Sequence, residues 1–260
     1  MTGHRAREAA VSRRDFGRIL GGAAAAAAFG ACVGGSASTA AHGARLTARP
    51  RAGVKTSVIG EQRLGLGGDR DGLLQVPAVD PATPIPLMIL FHGAASSGQI
   101  QLRRFAAIPA DAGVAVVAVD SRGNTWDAIR GTFGPDVEFI DRVLDHVFEI
   151  VNVDPARLTM AGFSDGATYA LSLGLVNADL FPRLAGFSAG FLIDGPAHGT
   201  PRVFMSHGTD DDILPIDQCG RRVAAELRQL GCDVTFREFK GKHEVPPDVV
   251  REACGWIAAK

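Results

Sequence analysis

Beyond residue 85 the chain alternates short, nearly unbroken apolar runs with longer stretches whose apolar positions recur every three or four residues. "PLMILFH" (86–92), "GVAVVAVD" (113–120), "RLTMAGF" (157–163), "RLAGFSAGF" (183–191), "RVFMSH" (202–207) and "DVTFREF" (233–239) predict strands. Most lack in–out alternation, as parallel strands covered on both faces do. Between them, "GQIQLRRFAAI", "DVEFIDRVLDHVFEIV", "GATYALSLGLV", "IDQCGRRVAAELRQL" and "PDVVREACGWIAA" predict helices. In the second, Val137, Ile140, Val143, Leu144, Val147 and Phe148 form one apolar stripe. Strand and helix in turn imply an α/β domain built on one doubly wound, mostly parallel sheet. An antiparallel hairpin around "GLGGDRDG" (65–72) precedes it.

The first forty residues are a different material. "VSRRDFGRILGGAAAAAAFGAC" pairs Arg13 with Arg14, places Phe16 two positions on, and then carries no charge after Arg18. This context resembles a twin-arginine export signal. The run Ile19–Ala31 is too short and too weakly apolar for a membrane span and fits a signal segment. Cys32 closes it in "FGAC", an imperfect lipobox, so two outcomes stand open: membrane attachment through a lipid on Cys32, or cleavage near "ASTA" releasing a soluble protein. The expected organisation is a signal over 1–41, a Pro/Arg/Gly linker over 42–53 and a compact domain over 54–260. Export places the product in the periplasm, in the medium or on the outer face of the membrane.

Charge narrows the partners. The chain has a net charge of −1, and without residues 1–41 it has 22 basic against 26 acidic side chains. Nothing here attracts nucleic acid. Cys219, Cys232 and Cys254 remain after export, an odd number, so at least one thiol is unpaired within the chain. Cys219 and Cys232 flank a predicted helix about 20 Å long, too far apart to bridge directly. No cysteine spacing suggests a metal, and "GLGGDR" lacks the spacing and the following helix of a nucleotide loop.

Two stretches fit the G-x-S-x-G turn of a serine nucleophile: "GFSDG" (162–166) and "GFSAG" (186–190). Such a turn needs a strand before the serine and a helix immediately after it. "DGATYALSLGLV" behind Ser164 is helix-compatible for a dozen residues; "AGFLIDGPAHGTP" behind Ser188 contains too many breakers. An acid and then a histidine should follow on later loops. "HGTDDDILP" (207–215) and "FKGKHEVPP" (239–247) offer an aspartate within 210–212 and His243, each after a strand.

"FHGAASSG", "GFSDGA", "HGTDDDILP" and "KHEVPP" together resemble compact serine esterases of the α/β-hydrolase superfamily, in the phospholipase/carboxylesterase and polyhydroxybutyrate-depolymerase-like groups, over residues 85–258. The resemblance implies the α/β-hydrolase fold and makes Asp211, four places after His207, the acid. It implies hydrolysis of carboxylic esters through an acyl-enzyme intermediate, without cofactor or metal. Ser164 is then the nucleophile, His243 its base and Asp211 the group that orients the imidazole. The oxyanion donors are expected at the amides of Asp165 and of Ala94, just beyond "FHG". Asp165 departs from the Gln or Ala of several relatives, and its carboxylate opposes the developing negative charge unless it points away.

His92 and His207 open "HG" turns and are read as structural rather than acid–base residues, with His92, Trp126 and Ser188 kept as candidate substrate contacts. Phe133, Phe187 and Ile213 are candidate acyl-pocket residues. "LIDGPAHGT" leaves no room for a helical lid, so small acyl esters, or accessible ends of polymeric ones, are the expected substrates. Polyester depolymerase, feruloyl-type esterase, lysophospholipase and peptidase activities stay open. From a different class, a non-catalytic binding lipoprotein of the same fold is the alternative.

Overall fold

The computed structural model describes residues 43–260. The paired arginines, the apolar run and Cys32 lie outside the described residues.

Eight strands form one sheet in the order β1-β2-β4-β3-β5-β6-β7-β8. They are β1 (Gly60–Arg63), β2 (Gly72–Val76), β3 (Ile85–Phe91), β4 (Ala115–Val119), β5 (Val153–Phe163), β6 (Arg183–Phe187), β7 (Arg202–Gly208) and β8 (Asp233–Phe239). β1 and β2 are the expected hairpin, and β2 pairs β4 antiparallel; the remaining pairs are parallel. The helices are α1 (Gly98–Phe105), α2 (Ile108–Asp111), α3 (Asp127–Arg130), α4 (Pro135–Ile150), α5 (Asp165–Val176), α6 (Gly220–Gln229) and α7 (Pro247–Ala258). "GQIQLRRFAAI" predicts one helix, but α1 ends at Ala106, whose φ of 51° turns the chain into α2.

The absence of in–out alternation has a direct physical reason. Along β3, Leu87, Ile89 and Phe91 face a core shared with α4, α5 and α6, whereas Met88 and Leu90 face a second core shared with α1 and α7. Both faces are apolar because both are covered. α5 is buried at every position and lies at the centre of the molecule.

From β3 the chain runs outward to β4, then crosses back over β3 to β5 and continues in the opposite direction. Loops leaving the carboxyl ends of β3 and β5 therefore diverge and leave a crevice, the place where open α/β sheets bind ligands. Between β6 and β7 the chain forms no helix or strand, so among the described residues no lid is inserted there. No helix among the described residues is long and apolar enough to cross a membrane.

The expected linker is not a free tether. Ala44, Leu46 and Ala48 are buried. The Leu46 amide donates to Asn177 Oδ1 at 2.9 Å, Asn177 Nδ2 donates to the Ala44 carbonyl at 2.8 Å, and the amides of Thr47 and Ala48 donate to Asp141. Alternate small apolar residues, invisible as a helix or strand signal, dock the segment 43–48 onto α4 and α5. Among the described residues, Cys219, Cys232 and Cys254 are unpaired and buried.

Candidate active site

The turn between β5 and α5 sets the geometry. Ser164 has φ 57°, in the left-handed region that non-glycine residues rarely occupy. It is held there by its own backbone: its amide donates to the Phe187 carbonyl at 2.9 Å, and its carbonyl accepts from Ala167 and Thr168 at 2.9 and 3.1 Å. Close approach explains the flanking glycines. A Cβ on Gly162 would lie 2.2 Å from the Gly166 carbonyl oxygen, and one on Gly166 would lie 2.5 Å from the carbonyl oxygens of Phe91 and His92. Only hydrogen fits at either position.

Three loops converge on that serine. Ser164 Oγ is 2.9 Å from His243 Nε2, and His243 Nδ1 is 2.7 Å from Asp211 Oδ2. The three residues follow β5, β8 and β7, so the parallel sheet delivers all of them to one edge. Asp211 is buried, whereas Asp210 and Asp212 are exposed, and Asp212 pairs with Lys242 at 3.0 Å. Asp211 Oδ1 accepts from the amides of Ile213 and Leu214 at 3.0 and 2.8 Å. Burial alone would raise the Asp211 carboxyl, but hydrogen bonds from His207, His243 and the Leu214 amide outweigh it and hold the group well below the usual carboxylate range. The Phe163 ring packs on His243 with centroids 4.8 Å apart.

Ser164 and His243 open onto an unlidded cleft of about 540 Å³, lined also by Gly93, Ala94, Phe163 and Ile213. Among the described residues, the amides of Ala94 and Asp165 donate to no acceptor. Asp165 heads α5, where the first N–H groups lack partners within the helix. The loop carrying Ala94 is fixed one residue on, where the Ala95 amide donates to the Asn124 carbonyl at 2.7 Å. The Asp165 carboxyl turns onto Thr125, whose hydroxyl donates to Oδ2, while Oδ1 is buried without a partner. Burial raises this carboxyl above its ordinary value, against the opposing pull of Thr125, Arg130 and His243.

Other expectations meet the interior. His92, Trp126 and Ser188 are fully or almost fully buried and do not line the cleft. His92 Nε2 accepts from the Ser121 amide at 3.0 Å, its Nδ1 donates to the Gly93 carbonyl at 2.6 Å, and its own carbonyl accepts from Trp126 Nε1 at 2.9 Å. These bonds brace the loop after β3 from behind. Phe187 packs edge-on to Phe105, and Phe133 against Tyr169, inside the core; of the expected acyl-pocket residues only Ile213 faces the cleft. Phe163, Arg104 and Val245 also line it. Phe163 carried a signal as the residue beside the serine, but Arg104 at the end of α1 carried none.

No protein-family model matches the chain. Acyl-protein thioesterase 1 of Emericella nidulans is 32% identical over 99 residues, 34% of this chain and 41% of that protein. A candidate esterase of Nocardia uniformis, NocK, is 30% identical over 152 residues, 53% of this chain and 44% of that protein. The chain thus spans under half the length of these curated relatives. Among solved structures, the fluorophosphonate-binding serine hydrolase FphF of Staphylococcus aureus superimposes with a TM-score of 0.61 at 16% identity, over 77% of this chain and 99% of that one. The chain has the α/β-hydrolase fold. Within this fold the strand–turn–helix at Ser164 occupies the sheet's crevice edge, and the second G-x-S-x-G stretch lies buried beside it.

Proposed function

We propose that the chain is a serine hydrolase that cleaves carboxylic esters through an acyl-enzyme intermediate. The observation that carries this reading is the continuous line of hydrogen bonds Ser164–His243–Asp211, with its serine end facing an open cleft. As Ser164 Oγ bonds to the substrate carbonyl carbon, its proton passes to His243 Nε2, and Asp211 stabilises the resulting imidazolium. The tetrahedral oxyanion accepts from the amides of Ala94 and Asp165, each donor worth about 3 kcal/mol in the transition state. Collapse breaks the ester C–O bond, and the alcohol leaves with the proton from His243. Water then repeats the sequence on the acyl-enzyme, releasing the carboxylic acid and restoring Ser164.

An open cleft without a lid suits small acyl esters or the accessible ends of larger ones. The same geometry serves a thioester, the bond that one relative's name specifies. Fluorophosphonate labelling tests the assignment: wild type and Ser188→Ala label and hydrolyse short esters, whereas Ser164→Ala does neither. An unlabelled wild type would overturn the hydrolase reading, and loss of labelling only in Ser188→Ala would overturn the site. Arg13 and Arg14 support export through a twin-arginine route; replacing both with Lys is expected to retain the protein inside the cell, and unaffected export would remove this part.

A further inference from the structure

Behind the proposed triad lies a second imidazole that touches its acid. His207, near the end of β7, is completely buried. Its Nε2 is 2.7 Å from the Leu214 carbonyl oxygen and 3.2 Å from Asp211 Oδ2, the oxygen that also bonds His243 Nδ1. A carbonyl oxygen can only accept, so the His207 ring carries its proton on Nε2, where it is shared between Leu214 and Asp211. Nδ1 has no partner, and Gly220 closes over it so tightly that a Cβ there would lie 2.5 Å away. The ring is thus packed with one nitrogen sealed against backbone and the other aimed at the acid.

Resting on the hydrolase reading, we propose that His207 is a positioning residue that acts through Asp211, donating to the same carboxylate oxygen as His243 and tempering the negative charge that His243 experiences. Counting donors supports this. A carboxylate has about four lone-pair sites, and Asp211 fills them with Ile213 N, Leu214 N, His243 Nδ1 and His207 Nε2. The two amides alone hold the carboxylate in place through Oδ1, so losing the His207 donor leaves Asp211 where it is but concentrates its charge on Oδ2. A more concentrated charge favours the protonated form of His243.

Beyond the two histidines and Asp211, the Asp165 carboxyl also interacts with His243, and neither substitution of His207 alters it. Cys219 at the head of α6 has its thiol pushed up to about 11 by burial and is neutral at working pH. Glu238, opposite His207 in the β7–β8 register, is ion-paired to Arg221, and Asp212 is paired to Lys242 at the surface.

The test compares wild type with His207→Gln, which keeps a donor of similar reach, and His207→Phe, which keeps the ring volume without one. Nitrogen-15 NMR of wild type should find the His207 proton on Nε2. Followed by its ring resonances without substrate, His243 should titrate about one pH unit higher in His207→Phe, the share of a hydrogen bond to a charged group, and near wild type in His207→Gln. The acid limb of kcat/KM should move with it, while the plateau at higher pH stays close to wild type. A residue needed only for packing would lower activity or stability at every pH without moving the limb. A proton on Nδ1, a His243 titration shared by all three proteins, or a Gln variant no better than Phe would overturn the proposal. If His207→Phe does not fold, the wild-type tautomer and the Gln titration still decide it. If wild type neither labels nor hydrolyses esters, the hydrolase reading falls, while the NMR titration still decides the role of His207.

Discussion

Ser164 and Ser188 each follow the last residue of neighbouring parallel strands, Phe163 and Phe187, which pair in register, and each has a positive φ, 57° and 55°. Both serines share the left-handed φ. The difference lies in what comes next, since α5 begins at Asp165 and no helix begins after Ser188. Ser188 instead donates its amide to the Ser206 carbonyl at 2.8 Å, and its Oγ is buried without a partner. Ser188→Ala removes an unsatisfied hydroxyl, so stability should change by less than about 1 kcal/mol and ester turnover should persist. Thermal melting and steady-state kinetics check both.

Asp211→Asn should leave the fold intact and lower kcat by on the order of 10⁴-fold, because an amide facing His243 Nδ1 stabilises the wrong tautomer. The pH dependence follows from the carboxyl's lowered value. Its stabilisation is present above the unfolded aspartate value of about 3.9 and is lost as pH falls through the lower folded value. Melting curves should show wild type more stable than the Asn variant at neutral pH, with the gap closing in strong acid.

Asp165 has the opposite sign. Its folded carboxyl is raised by burial, so its contribution is full below the unfolded value of about 3.9 and is lost as pH rises through the folded value. The stability of wild type relative to Asp165→Asn should therefore fall as pH rises from the unfolded value through the raised folded one. Because the carboxyl turns onto Thr125 and does not line the cleft, Asp165→Asn should leave kcat near wild type, and a several-fold rise in steady-state kcat would show that the carboxylate does oppose the oxyanion.

Gly166→Ala drives a methyl into the carbonyl oxygens of Phe91 and His92, which are rigid backbone. The expected loss is about 3 kcal/mol, a fall in Tm of roughly 6–12 °C for a domain of this size. Turnover should fall as well, because relief of the clash shifts the turn that presents Ser164.

Asn177→Ala leaves the Leu46 amide and the Ala44 carbonyl without their buried partners. We expect a loss of about 2 kcal/mol and faster proteolysis within residues 43–51. Ester turnover should be unchanged, since this face lies away from the cleft.

The apolar runs and the breakers between them determined the layered α/β architecture, because strand and helix periodicity are local properties. The preference for "GFSDG" over "GFSAG" was local too, because it rested on the helix-forming residues behind Ser164 and the breakers behind Ser188. Tertiary structure alone decided the rest. It chose which aspartate of 210–212 turns inward, because that depends on how the loop after β7 meets the loop after β8. It buried His92, Trp126 and Ser188, since a strand-end residue faces either the cleft or the interior according to packing that no neighbour in sequence reports. It docked the segment 43–48, whose contacts lie more than ninety residues away in the chain. It also placed His207 behind Asp211: four residues apart in a strand and its loop, the two become partners only because Gly220 and Leu214 hold the ring against the acid.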